Sequence, residues 1–186
     1  MKQLLLVCHA NMLRSTSAEL LTRTLGTEAS EWRAVSAGTH AVVGSGTDEA
    51  ASQALSARGI DPSGHRAQQL TPHLIRQADL ALTFGAGRRT WVLRQQPGMT
   101  GRVLTIRRTA ALLASRPRHT DPFDHLSSDT QPYRGADSFR DPVDTGTVAV
   151  ARAVGEIEEL LRIMLPAIGA SPPDFAATGQ EGPGST

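Results

Sequence analysis

The chain has 186 residues, a net charge of +1 and a single cysteine, Cys8. Its length predicts one domain with a substantial core, and its near-zero net charge argues against a nucleic-acid partner recruited through the phosphate backbone. No run of residues is long and apolar enough to span a membrane. A lone cysteine cannot form an internal disulfide, so we expect a cytoplasmic protein whose thiol stays reduced.

Hydrophobic periodicity divides the chain into alternating strands and helices. Strands are predicted at residues 2–7, 32–36, 79–83 and 103–106. Helices are predicted at residues 15–27, 48–58, 72–77, 88–94 and 107–114. A final helix is predicted from its apolar face, which consists of Val150, Ala153, Val154, Ile157, Leu160, Leu161 and Met164. Gly59 is expected to close the second helix, and Thr71 to cap the third.

Strands that alternate with helices imply right-handed crossovers and a parallel sheet. We therefore predict an α/β fold with a four-stranded parallel sheet, doubly wound, with helices on both faces. Residues 1–168 form the predicted domain, within which the polar segment 115–140 is predicted to be a loop. Residues 169–186 contain Pro, Gly, Ser and Thr without periodicity, which predicts a disordered tail.

The loop after the first strand carries the strongest chemical pattern. Five residues separate Cys8 from Arg14, a spacing that wraps one tetrahedral oxyanion. Backbone N–H groups would line the loop, the guanidinium would bind two oxygens, and a helix beginning near Ser15 would add its positive end. The segment predicted to bind phosphate consists of His9, Ala10, Asn11, Met12, Leu13, Arg14 and Ser15. The alternative is a buried, unreactive cysteine at a strand end.

The residue types in this loop suit phosphoryl transfer. A helix N-terminus and a nearby cation favour a thiolate, so Cys8 would attack phosphorus and form a cysteinyl-phosphate that water then hydrolyses. Arg14 would stabilise the transition state with its planar fork. Because the loop and Arg14 supply the positive charge, we predict neither a metal nor a cofactor. His9 would either assist anion binding as a cation or point outward and contribute only its backbone.

Further segments extend this pattern in order along roughly residues 1–168: Val7-Cys8-x-x-Asn11-x-x-Arg14-Ser15-x-x-Ala18-Glu19, Ser36-Ala37-Gly38-Thr39, Arg58-Gly59-Ile60-Asp61, Gly64-His65-Arg66-Ala67, Leu70-Thr71, Ala78-Asp79-Leu80 and Asp141-Pro142. Together they resemble the low-molecular-weight protein tyrosine phosphatase family, which also contains arsenate reductases. The resemblance implies that Ser15 donates a hydrogen bond to the Cys8 sulfur and that Asn11 holds the shape of the loop.

A leaving alkoxide or phenoxide needs a proton, so a carboxylic acid should face Cys8. Three Asp-Pro pairs are candidates, at Asp61, Asp121 and Asp141, because proline holds the preceding residue extended. The resemblance favours Asp141, which precedes the final helix where the family carries its general acid. It assigns Asp61 to a structural loop, and Asp121 stays open as the second candidate.

The chain departs from the family pattern at the rim of the loop. Tyrosine phosphatases of the family carry aromatic residues there that sandwich the phenol ring, whereas this chain has Ala41-Val42-Val43 and Val143-Asp144. We therefore expect weaker stacking of an aromatic leaving group.

The predicted function is hydrolysis of phosphomonoesters, with a phosphorylated protein or a small phosphate ester as the substrate. Arsenate reduction is an alternative, because arsenate has the shape and charge of phosphate. With one cysteine in the chain, it would require an external low-molecular-weight thiol. A non-catalytic phosphate-binding module is the third alternative. We expect a monomer or a weak homodimer.

Overall fold

Four parallel strands form one sheet in the order β2-β1-β3-β4. They are β1 (Lys2–Cys8), β2 (Trp32–Gly38), β3 (Leu80–Thr83) and β4 (Val103–Thr105). The structure is a computed structural model that describes residues 1–26, 31–142 and 146–170. The chain adds β2 on one side of β1 and then β3 and β4 on the other, so the strand order reverses at β1. The predicted four-stranded parallel sheet is confirmed.

The same described residues form helices on both sides of this sheet. These are α1 (Arg14–Leu25), α2 (Glu49–Ser56), α3 (Pro72–Gln77), α4 (Ala86–Gln95), α5 (Ile106–Ala114), α6 (Pro122–Ser127) and α7 (Thr147–Ala167). Short 3-10 turns lie at Pro97–Met99 and Gly135–Asp137.

The central strand β1 is buried on both faces because residues 4–7 are all apolar. Leu4 and Leu6 join a core that includes residues of α1, α2, α5 and α7. The side chains of Leu5 and Val7 point to the other face, where they pack with Ile75 of α3 and Val92 of α4. Each such side chain contributes about 1.5–3 kcal/mol when it is fully buried. Helices therefore cover both faces, as a doubly wound fold requires.

The prediction of a loop over residues 115–140 is wrong for part of that segment. Helix α6 occupies Pro122–Ser127, and the Asp121 carboxylate caps it by accepting hydrogen bonds from the N–H groups of Phe123 and Asp124 at 2.8 and 3.1 Å. An aspartate followed by proline is a strong helix-start signal. The polar composition of the surrounding segment obscured that signal.

Other helix boundaries shift by a few residues. The second predicted helix ends at Ser56, and Gly59 beyond it has a φ of +74°, which a glycine adopts without strain. Thr71 caps α3 as predicted, accepting a hydrogen bond from the Leu74 N–H at 3.2 Å. Helix α4 begins at Ala86, earlier than predicted.

The final helix presents the predicted apolar face to the core. The buried residues of that face are Val150, Ala153, Val154, Ile157, Leu161 and Met164, and Leu160 is half-buried. Of the predicted tail, residues 171–186 lie outside the described residues.

Candidate active site

Cys8 is the last residue of β1 and α1 begins at Arg14, so the loop between them lies at the carboxyl edge of the sheet. Cys8 is only 3% exposed. The end of β2 lies directly against this loop, where a Cβ on Gly38 would come within 2.5 Å of the carbonyl oxygen of His9. The backbone N–H of Thr39 also donates to the carbonyl of Cys8 at 3.1 Å. Residue 38 must therefore be glycine for the strand to approach the loop this closely.

Asn11 sets the shape of the loop. Its backbone has a left-handed φ of +59°, a conformation that asparagine tolerates, and the residue is fully buried. Its Nδ2 donates to Ser15 Oγ at 3.0 Å and to Ser36 Oγ at 2.8 Å. Its Oδ1 accepts the backbone N–H of Gln68 at 2.8 Å. These bonds fix the loop to α1, to β2 and to the segment before α3.

The same contacts direct the hydroxyl of Ser15 towards the thiol. Ser15 Oγ lies 2.9 Å from Cys8 Sγ. Because this oxygen already accepts a hydrogen from Asn11, its own proton is available for donation to the sulfur. The backbone N–H of Asn11 donates to the same sulfur at 3.3 Å. Two donors therefore face the sulfur, and such bonds are strongest when the acceptor is negatively charged.

Buried polar side chains support the loop from behind. Ser36 Oγ donates to Glu19, a carboxylate that also pairs with Arg23. His65 Nε2 donates to the carbonyl of Asn11 at 2.8 Å, so it braces the loop without contacting the thiol. Sequence reasoning missed this support. The available signal was that Ser36 and His65 both lie in segments that resemble the family.

The structure brings Arg14 and Asp141 together at the mouth of the loop. Arg14 Nη2 donates to Asp141 Oδ2 in an ion pair. The Arg14 side chain is 10% exposed and that of Asp141 is 47% exposed. The pair thus joins a buried cation at the loop to a carboxylate that solvent reaches.

The other two Asp-Pro pairs lie elsewhere. Asp121 caps α6, whose Phe123 stacks on Trp32 at a ring separation of 5.8 Å. Since Trp32 begins β2, this helix lies at the amino edge of the sheet, opposite the edge that holds Cys8. Asp61 accepts two 2.9 Å hydrogen bonds from the backbone N–H and hydroxyl of Ser63, which lower the pKa of its carboxyl. Both aspartates have local structural partners.

A row of aromatic rings lies beside the loop. The ring centroids of His9 and His40 are 4.8 Å apart, and those of His40 and Trp91 are 6.4 Å apart. Trp91 comes from α4, which follows β3, the strand next to β1. Nothing in the local sequence links Trp91 to the loop, so sequence reasoning missed it.

The positions expected to carry aromatics behave differently. Val42 and Val43, where the family pattern has an aromatic residue, are 53% and 70% exposed. Val143 and Asp144, at the second such position, lie outside the described residues. Among the described residues, the tryptophan ring near the loop is therefore that of Trp91, which comes from α4 and not from either of these positions.

Charges around His9 set its protonation state. Burial lowers the pKa of His9 below its ordinary value of 6.5. The positive charges of Arg88, His40 and Arg14 lower this pKa further, whereas Asp141 raises it. Burial and these positive charges therefore favour the neutral imidazole in the protein without a bound anion.

Within residues 1–26, 31–142 and 146–170, no group of three or more His, Cys, Asp or Glu side chains is arranged to hold a metal ion. None of the helices in this part of the chain combines the length and apolar character needed to cross a membrane. The positive charge at the loop comes from Arg14 and from the end of α1.

The chain matches proteins of one family over most of its length. A family model described as low molecular weight phosphotyrosine protein phosphatase matches residues 3–171. The probable low molecular weight protein-tyrosine-phosphatase EpsP of Ralstonia solanacearum is 37% identical over 105 residues, which make up 56% of this chain and 70% of that protein.

Solved structures show the same relationship in three dimensions. The Erwinia amylovora tyrosine phosphatase AmsI is similar with a TM-score of 0.69 and 25% identity, covering 89% of this chain and 92% of that one. The YwlE arginine phosphatase from Geobacillus stearothermophilus is similar with a TM-score of 0.71 and 20% identity, covering 97% of this chain and all 100% of that one. At this lower identity, the second likeness concerns the fold alone.

Proposed function

This chain belongs to the low molecular weight phosphotyrosine protein phosphatase family and is a cysteine phosphatase; from that premise we propose that it hydrolyses phosphotyrosine in proteins. Cys8 is the proposed nucleophile, Arg14 the anchor of the phosphoryl group and Asp141 the general acid. The observation that carries the proposal is that Cys8 Sγ lies 2.9 Å from Ser15 Oγ in a loop whose Arg14 pairs with Asp141.

In the first step, the phosphate dianion occupies the loop and takes Arg14 as its partner. Backbone N–H groups of the loop donate to the phosphoryl oxygens, while the Asn11 N–H stays on the Cys8 sulfur, and the guanidinium binds two of those oxygens. The Cys8 thiolate attacks phosphorus on the side opposite the ester oxygen, so a P–S bond forms as the P–O bond breaks. Once the phosphoryl group has replaced it at Arg14, the Asp141 carboxylate takes up a proton from solvent beside the phosphate dianion, and it gives this proton to the departing phenolate.

In the second step, water hydrolyses the cysteinyl-phosphate. Asp141, now a carboxylate, accepts a proton from the water as its oxygen attacks phosphorus. The P–S bond breaks, inorganic phosphate leaves, and the thiolate returns to the hydrogen bonds from Ser15 Oγ and the Asn11 N–H. The loop binds the same three equatorial oxygens in both transition states, so one set of donors serves both steps.

An aromatic ester fits the rim of this loop better than an alkyl ester. His9, His40 and Trp91 form a continuous row of rings, with centroid separations of 4.8 and 6.4 Å, on which a phenol ring can stack. This row supports phosphotyrosine as the substrate, although the valines at positions 42 and 43 remove the aromatic that the family pattern has there.

The experiment compares phosphotyrosyl, phosphoseryl and phosphothreonyl peptides of one sequence, with a metal chelator present. Wild-type protein is expected to release phosphate from the phosphotyrosyl peptide at least about 100-fold faster than from the others. Cys8→Ser is expected to release none at a measurable rate while it still binds the phosphotyrosyl peptide. Release that continues in Cys8→Ser contradicts the assigned nucleophile, and formation of arsenite from arsenate and a small thiol, without phosphate release, contradicts the proposed reaction.

A further inference from the structure

Arg88 has an unusual position for a charged side chain. It lies in the first turn of α4, and its Nε is buried without a hydrogen-bond partner in the part of the chain that the structure describes. The neighbouring Arg89 shows the usual arrangement, because its Nε donates to the carbonyl of Val103 at 2.7 Å and its guanidinium lies 4.3 Å from the ring centroid of Tyr133. A buried guanidinium N–H without an acceptor is costly, and an incoming anion removes that cost.

Arg88 lies in the first turn of α4, which begins at the carboxyl end of β3, next to the strand that ends at Cys8. After burial, its charge is the largest influence that lowers the pKa of His9, the first residue of that loop. Arg88 and Trp91 are three residues apart on α4 and share one face of the helix. Trp91 in turn faces His40, which stacks against His9. The cation and the aromatic row therefore form one continuous rim along this side of the site.

Of the two arginines near the mouth of the loop, only Arg14 has a carboxylate partner among the described residues. Asp141 is already the partner of Arg14, and the phosphoryl group takes over that role in the proposed first step. Arg88 has no carboxylate partner among the described residues, since it takes part in none of the ion pairs found there. Its planar fork is the geometry that best recognises a carboxylate with two parallel hydrogen bonds.

We propose that Arg88 binds an acidic side chain next to the phosphotyrosine of the substrate, so that the enzyme prefers acidic phosphotyrosyl peptides. The inference rests on the proposed function, because it assigns the residue that reads the surroundings of the phosphotyrosine. Because Arg88 acts in substrate binding, we expect the preference for acidic peptides to appear in KM more than in kcat.

The test uses phosphotyrosyl peptides in which a single glutamate replaces glutamine at each position on either side of the phosphotyrosine. For wild-type protein, at least one glutamate position is expected to raise kcat/KM about tenfold through a lower KM. Arg88→Gln is expected to bring that ratio close to one, and Arg88→Lys to restore part of it. Arg94→Gln is the matched control, because Arg94 is an exposed arginine in the last turn of the same helix, and it is expected to keep the wild-type ratio.

The wild-type protein supplies a second measurement that needs no variant. The glutamate preference is expected to shrink several-fold when the NaCl concentration is raised from about 0.05 to 0.5 M, because salt screens a charge pair formed by a half-buried residue such as Arg88. The peptide with glutamine at the same position corrects for the effect of salt on phosphate binding.

Two results would overturn the inference. Wild-type protein that hydrolyses all peptides equally has no acidic preference to explain. An Arg88→Gln variant that loses activity equally on the glutamate and glutamine peptides places Arg88 on the phosphoryl group or in the fold. Hydrolysis of p-nitrophenyl phosphate by wild-type protein tests the proposed function separately. If the wild-type protein does not hydrolyse this ester, both proposals fail. If it does, either of the two results above contradicts only the role of Arg88.

Discussion

Arg14 and Asp141 form an ion pair across the mouth of the phosphate-binding loop although they are 127 positions apart in the chain. The pair joins the residue proposed to hold the phosphoryl group to the residue proposed to protonate the leaving group. A bound phosphate dianion competes with the Asp141 carboxylate for the same guanidinium. In the proposed mechanism, substrate binding therefore exchanges one anion for another at Arg14 and leaves Asp141 beside the ester oxygen.

Replacing Asp141 by asparagine removes the proposed proton donor. Asp141→Asn is expected to lower kcat about 100- to 10,000-fold for phosphotyrosine, and much less for p-nitrophenyl phosphate, whose leaving group needs no proton. The measurement is kcat for a series of aryl phosphates with leaving groups of increasing pKa. The slope of log kcat against leaving-group pKa should become steeper in the variant.

Asp121→Asn is the matched control for this series. It changes the same functional group at an Asp-Pro pair on the opposite edge of the sheet, where the side chain caps α6. Because asparagine is also a good N-cap, the slope should equal that of wild type. A steeper slope in Asp121→Asn, with a wild-type slope in Asp141→Asn, would reverse the assignment.

His9 is predicted to make anion binding at the site depend on pH. The free protein lowers the pKa of His9 below 6.5 through burial and through Arg88, His40 and Arg14. An anion in the loop adds negative charge next to the imidazole and raises this pKa. By linkage, protonation of His9 must then strengthen anion binding as the pH falls.

Sulfate is a suitable probe of this effect because it stays a dianion over the whole range. Its dissociation constant is expected to fall several-fold as the pH is lowered from about 7.5 to 5.5. His9→Gln should flatten the profile, and an NMR titration of the His9 ring should show its midpoint moving upward when sulfate is added. Identical profiles for wild type and His9→Gln would assign the pH dependence to other groups.

Gly38 is predicted to be irreplaceable at the end of β2. A Cβ at this position would lie 2.5 Å from the carbonyl oxygen of His9, so Gly38→Ala must displace the loop or the strand. We expect a loss of about 1–3 kcal/mol or more in the free energy of unfolding, measured by urea denaturation, together with weaker sulfate binding. Gly46→Ala is the control, since a Cβ there meets nothing within 4 Å and the variant should match wild type in both assays.

Trp91 is predicted to contribute to the stacking of the substrate ring. Trp91→Ala is expected to lower kcat/KM for phosphotyrosyl peptides about 3- to 10-fold, and Trp91→Phe should restore most of it. Trp32→Ala removes the other tryptophan, at the amino edge of the sheet, and controls for a general loss of stability. An equal loss of kcat/KM in both alanine variants would contradict a role for Trp91 in stacking the substrate ring.

The position of the loop between β1 and α1 was predictable because the residues that define it are contiguous. The segment from Cys8 to Arg14 follows one apolar strand and leads into one helix, so local sequence determines where the loop lies. In the same way, the alternation of strands and helices was sufficient to predict the parallel sheet. In both cases, short-range patterns determine the feature.

The rim of the site was not predictable for the opposite reason. Trp91 and Arg88 lie on the loop's side of the sheet only because β3 lies next to β1 and α4 begins at the carboxyl end of β3. No spacing along the chain encodes that proximity. The helix capped by Asp121 was missed on local grounds, because the polar composition of residues 115–140 outweighed a single Asp-Pro signal.

The most direct test of this account is rapid alkaline quenching of the wild-type protein during turnover of p-nitrophenyl phosphate, followed by peptide mass spectrometry under conditions that preserve the P–S bond. We expect one phosphoryl group per molecule, carried by Cys8, which appears with the first burst of p-nitrophenol and is absent from Cys8→Ala. Continued phosphate release by Cys8→Ala, or turnover by wild type with no phosphorylated Cys8 at any time point, would contradict the cysteinyl-phosphate mechanism.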